Sequence, residues 1–155
     1  MRTGRRLSVD VGKVRIGVAA SDFHAILASG VQTIPRLESL EATVSEICKV
    51  IHDIDPIEIY VGLPVKMSGE QSASTRDAIE VARALSAAQP VPVRMVDERL
   101  TTVSAAGALR TSGRDSKSGR KIIDQIAATI ILEQALEIER STQREPGTSI
   151  GEIHE

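Results

Sequence analysis

The chain has 155 residues, 41% hydrophobic and 26% charged, with a net charge of −2 and only Phe23 and Tyr60 as aromatics. A length suited to one domain burying roughly 70% of its unfolded surface excludes neither enzyme nor binder, but the aromatic scarcity argues against a base-stacking platform and the charge against a globally basic one. The single Cys48 excludes an internal disulfide and a cysteine metal cluster, and the absence of a long apolar run or signal-peptide core predicts a cytosolic protein with no membrane partner.

In chain order, Leu7, Val9 and Val11 alternate with Ser8, Asp10 and Gly12, the period of a strand with two different faces. Asp10 stands mid-strand between valines, where β-propensity disfavours it and a buried charge needs a partner. Turn amides or Arg15 would serve, and so would a cation. Gly12 and Gly17 clear space for a turn and for close approach to the backbone. Arg15–Ala20 and Ile26–Ile34 read as the next two strands. Apolar residues at Leu40, Val44, Ile47, Cys48 and Ile51 then predict an amphipathic helix over 37–54, ended by Pro56, with Cys48 as core packing.

Residues 57–62 read as a strand and 63–69 as a loop. Ser74 and Asp77 have the spacing of a capping box for a helix that turns Ala78, Ile79, Val81, Ala82 and Leu85 inward. Val91–Val96 is a further strand, delivering Asp97 and Glu98 to its C-terminal end, with Asp97 on the opposite face as a structural or capping group. Thr101 or Thr102 begins a short helix to Arg110, and Thr111–Gly119 reads as a mobile loop. The final helix, Arg120 to Arg140, has Ile123, Ile126, Ala127, Ile130 and Ile131 as its apolar stripe, with Asp124 at the stripe's edge. Residues 141–155 read as a disordered tail beyond a 1–140 domain. This order of elements means an α/β fold, a mixed central β-sheet flanked by helices.

Asp10, Glu98 and Asp124 are separated acids of the kind a fold can gather around Mg²⁺, which prefers oxygen ligands. Each also has an ordinary reading: Glu98 as an exposed loop acid, Asp124 as a partner of the helix dipole. His24, His52 and His154 share no metal-ligand spacing.

Four blocks carry a resemblance: Asp10–Ala19 (DVGKVRIGVA), Val61–Pro64 with Met67–Gly69, Asp97–Thr102 (DERLTT), and Ile123–Ala128 (IDQIAA) with Ile131–Leu132. Together, over about residues 5–138, they resemble the YqgF/RuvX family. The resemblance implies a ribonuclease H-like fold and a nuclease of pre-16S rRNA, alternatively of Holliday junctions. It implies Asp10, Glu98 and Asp124 as catalytic acids that also hold two Mg²⁺ or Mn²⁺ ions. Lys13 departs from the small hydroxylated residue expected there. The mechanism implied is metal-assisted phosphodiester hydrolysis. Lys13, Arg15, Lys66, Arg99, Arg114, Lys117, Arg120 and Lys121 lie in or near the motif loops as candidate phosphate contacts, and the 111–119 loop as one that closes on substrate. The partner expected is nucleic acid, pre-rRNA ahead of branched DNA, met by a monomer or homodimer. A sugar-kinase-like ATPase would need a second lobe and a second phosphate loop; a non-catalytic ribosome-assembly factor would not need the three acids.

Overall fold

A computed structural model describes residues 1–64, 72–98 and 117–153, with backbone only over 117–121. Six strands form one sheet: β1 (Arg6–Val11), β2 (Arg15–Ser21), β3 (Ala28–Pro35), β4 (Glu58–Leu63), β5 (Val93–Asp97) and β6 (Thr148–Ser149), in the order β3-β2-β1-β4-β5-β6. The first three form an antiparallel meander, β1, β4 and β5 run parallel, and β6 is antiparallel to β5. Helices α1 (Leu40–Ile54) and α2 (Ala73–Ala88) cover one face of this mixed sheet and α3 (Lys117–Thr142) the other.

Strand alternation decides what each face is made of. Leu7 and Val9, Ile16 and Val18, Ile59 and Val61, and Val93 and Met95 all point toward α1 and α2. They meet Val44, Ile47 and Ile51 of α1 and the Ala78–Leu85 stripe of α2, as the helical spacing predicts. Each such aliphatic side chain contributes roughly 1.5–3 kcal/mol when fully buried, so this layer carries most of the hydrophobic stabilisation. Cys48 is half-buried at its margin.

Helix ends differ from the sequence reading because side-chain caps, not apolar spacing, decide them. Ser39 accepts from the Ala42 amide, so α1 starts at Leu40 and not at 37. It closes through Asp55 in the left-handed conformation, one residue before Pro56. The capping box of α2 is Ser72 with Thr75, each side chain accepting from the other's amide, and not Ser74 with Asp77. Asp77 instead pairs with Arg36 at 2.6 Å.

The α3 face is of a different character. Ala128, Ile131, Leu132, Ala135 and Leu136 pack on Ala19, Tyr60 and Val96. Of the expected stripe only Ile131 is buried; Ile123, Ile126, Ala127 and Ile130 remain half-buried. The helix is rotated so that its small residues meet the sheet and its polar ones find partners. Ser8 Oγ donates to the Ala128 carbonyl at 2.6 Å. Glu139, two turns beyond Leu132, meets Arg6, whose side chain is 0% exposed, at 3.0 Å, and Arg2 at 2.5 Å. Arg2 also bonds Glu58 at 2.7 Å, and Tyr60 donates to Glu58 at 2.9 Å. A buried charge survives only when paired in this way.

The expectation of a disordered 141–155 tail is corrected over its described part, 141–153. Helix α3 runs on to Thr142, Thr148–Ser149 pair with β5, and Ile150 enters the core between β5 and α2. Arg94 bonds the Pro146 and Gly147 carbonyls at 2.6 and 2.8 Å. The isolated isoleucines of a polar segment are enough to dock it, because the sheet edge supplies backbone partners and the α2 flank an apolar seat.

Candidate active site

The site lies where three elements end together on the α3 face. Asp10 is the last residue of β1 to point that way, on the same side as Arg6 and Ser8. Its register partner on β2 is Gly17. Over Gly17 sits the backbone of α3: a Cβ there would lie 2.0 Å from the Asp124 carbonyl oxygen. The missing side chain lets the helix carry Asp124 down to Asp10. Glu98 follows β5 directly, its amide donating to Leu63 at 3.3 Å. Its carboxylate lies over a second glycine, since a Cβ on Gly62 would fall 2.2 Å from Glu98 Oε2 and 2.6 Å from Ile131 Cδ1. Alternation turns Asp97 to the other face, as the sequence reading has it.

The electrostatics follow from this crowding. Burial and then the Asp124 charge push Asp10 up to about 6. Burial, Asp10 and Asp97 in turn push Glu98 up to about 7. Asp10 thus feels Asp124 and Glu98 feels Asp10, which puts Asp10 between the other two. Among the described residues no hydrogen-bond donor or cation faces the Asp10 carboxylate, so neither turn amides nor Arg15 accounts for it. Arg15, two residues before Gly17 on the same face of β2, bonds Asp124 instead, Nε to Oδ2 at 2.8 Å. Among the described residues no three His, Cys, Asp or Glu side chains stand close enough together to cage an ion as they are.

Of the candidate phosphate contacts, Lys13 is exposed in the β1–β2 turn and Arg15 is at the site. That turn is closed by the Gly12 amide on the Arg15 carbonyl at 3.0 Å. Lys117, Arg120 and Lys121 fall in the first turns of α3, ahead of Asp124. Lys66, Arg99 and Arg114 lie outside the described residues, as do the proposed helix from Thr101 or Thr102 to Arg110 and most of the 111–119 loop; 117–119 are helical. Sequence reasoning missed Arg36. Its guanidinium bonds Asp77 of α2 and, at 3.2 Å, the Gly12 carbonyl, strapping the turn that carries Lys13 to the neighbouring helix. It also gave no role to Gly62, although Gly62 stands in the Val61–Pro64 block; the close approach of Glu98 to it is visible only in the fold.

Comparison with known proteins identifies the relatives of the chain. The family model RuvX, described as Holliday junction resolvase, matches residues 4–138. A protein of Clavibacter michiganensis named "Putative pre-16S rRNA nuclease" is 53% identical over 150 residues, covering 97% of this chain and 93% of its own. One of the same name from Streptomyces coelicolor is 47% identical, covering 97% and 90%. Among solved structures, Thermus thermophilus RuvC in complex with a Holliday junction substrate superposes with a TM-score of 0.56 at 14% identity, covering 92% of this chain and 98% of that one. The sheet and its flanking helices therefore form a ribonuclease H-like fold.

Proposed function

The chain belongs to the RuvX family, and from that premise we propose that it is a divalent-metal-dependent nuclease acting on structured nucleic acid in the cytoplasm, processing the 5′ end of pre-16S rRNA in ribosome biogenesis. The observation that carries the reading is the crowding of Asp10 between Asp124 and Glu98 with no cation of its own. An all-oxygen, net-negative donor set suits Mg²⁺ or Mn²⁺ and neither a thiol- nor an imidazole-seeking metal. Asp10, Glu98 and Asp124 would hold the ion or ions. Metal bound there supplies an activated water and stabilisation of the leaving oxygen.

The chain's own residues do the rest. Asp10, at the end of a strand paired on both sides, is the most rigidly placed donor. Glu98, pushed up to about 7 by burial and its acidic neighbours, can hold a proton near neutrality and would have to release it to serve as a cation ligand. Lys13 and Arg15, on the turn and strand beside Asp10, would steer phosphate oxygens to the site. Histidine and serine nucleophiles have no part in the reading.

Cleavage of four-way DNA junctions is the second reading, favoured by the description of the family model and by the likeness in fold to RuvC. A labelled 16S rRNA precursor and a labelled four-way junction, each incubated with and without Mn²⁺, separate the two. Asp10→Asn, Glu98→Gln and Asp124→Asn should each lower cleavage at least about 100-fold while nucleic acid still binds. An acid whose variant cleaves normally does not belong to the site. Cleavage of the junction alone would move the function to DNA, and no cleavage of either by the wild type would leave an assembly factor.

A further inference from the structure

The three acids are not equally placed toward a cation. Asp10 has no positive partner among the described residues, whereas Asp124 is already paired with Arg15. The pair is partly shielded, with side chains 28% and 15% exposed, so its attraction exceeds that of a fully solvated surface pair. Arg15 spends only Nε on it; its two terminal nitrogens make no hydrogen bond among the described residues. A guanidinium offers five donors in a fixed fork that matches phosphate oxygens. Arg15 therefore has Nε on the carboxylate read above as a metal ligand, and two terminal nitrogens with no partner among the described residues.

We propose that Arg15 is an exchangeable counter-ion that couples cation binding to nucleic-acid binding. A divalent cation and Arg15 compete for the charge on Asp124. When the cation takes that carboxylate, the freed guanidinium turns wholly to a substrate phosphate; when phosphate engages Arg15, Asp124 is released to the cation. Each ligand thus raises affinity for the other by the same factor, as linkage requires. No covalent bond is made or broken, and the inference rests on the reading of Asp10, Glu98 and Asp124 as metal ligands.

The test compares wild type, Arg15→Gln and Arg15→Lys. Mn²⁺ alone is titrated by calorimetry, and a phosphorothioate four-way DNA junction and a phosphorothioate RNA hairpin, chosen to resist hydrolysis, are titrated by fluorescence anisotropy in chelator and in Mn²⁺. In the wild type, Mn²⁺ should tighten nucleic-acid binding by about fivefold or more, within the usual range of coupling. In Arg15→Gln the enhancement should shrink at least about threefold, while Mn²⁺ alone binds more tightly because its competitor is gone. Arg15→Lys, which keeps the charge but loses the fork, should lie between. Undiminished enhancement in Arg15→Gln, with nucleic acid merely bound more weakly throughout, would make Arg15 a simple phosphate contact and overturn the proposal. Weaker Mn²⁺ binding by Arg15→Gln would also overturn it, by showing that Arg15 only holds Asp124 in place. Failure of the wild type to bind Mn²⁺ at all would remove the metal site, and the proposal with it.

Discussion

Replacing Asp10 by Asn should stabilise the folded protein, and should do so only where Asp10 is ionised. The carboxyl rises from its ordinary 3.8 to about 6 on folding, through burial and the Asp124 charge. A carboxyl raised in this way binds more protons folded than unfolded between the two values. Its contribution to stability therefore falls as pH rises through that window and reaches its full penalty above about pH 7. The shift corresponds to a ceiling of about 3 kcal/mol. Partial exposure of Asp10 to water and proton sharing with Glu98 reduce this to about 1–2 kcal/mol. Asn keeps the shape without the charge, so at pH 8 in chelator the variant should melt roughly 3–6 °C higher. Near pH 4, where folded Asp10 is protonated, the gain should shrink to within about 1 °C. Millimolar Mg²⁺ should then raise the wild type by mass action and the variant much less. Differential scanning calorimetry at both pH values, with and without Mg²⁺, measures all four quantities. A variant that melts lower at pH 8, or a gain that ignores pH, would refute the crowding argument.

Two further outcomes test what holds the site together. Gly17→Ala drives a methyl into the Asp124 backbone at 2.0 Å. It should cost about 1–3 kcal/mol by overpacking, and cleavage should drop further than stability because α3 can no longer seat Asp124; equal Tm and activity in the variant would show that the helix approaches differently. Glu139→Gln leaves Arg6 buried without its counter-charge, which should cost about 3 kcal/mol. Burial alone would raise Glu139, but hydrogen bonds from Arg2 and Arg6 outweigh it and hold the carboxyl down to about 2. The stability this gives the wild type is present above about pH 4.5 and is lost as pH falls toward 2. Urea melts from pH 6 to pH 2.5 should therefore converge for the two proteins at the acid end, and parallel curves would contradict the assignment.

The sequence by itself determined the first five strands, the two helices between them and the faces on which Asp10, Glu98 and Asp97 stand. Period-two alternation is a local property of the chain, and a carboxylate between valines declares its own cost. The α1 and α2 cores were equally legible, because both helices bury aliphatic stripes against an aliphatic sheet face. Only the tertiary structure decided the rotation of α3: the face it covers carries Gly17, Gly62, Ala19, Arg6 and Glu58, so Ala128, Ala135 and Glu139 join Ile131 against the sheet in place of Ile123, Ile126 and Ile130. It likewise decided that Arg15 answers Asp124 and not Asp10, that Asp77 holds Arg36 instead of capping its helix, and that Thr148–Ser149 dock as an edge strand. Each of these depends on a group far away in sequence, and the free energy of a charge or an edge is set by what stands opposite it, which no local pattern records.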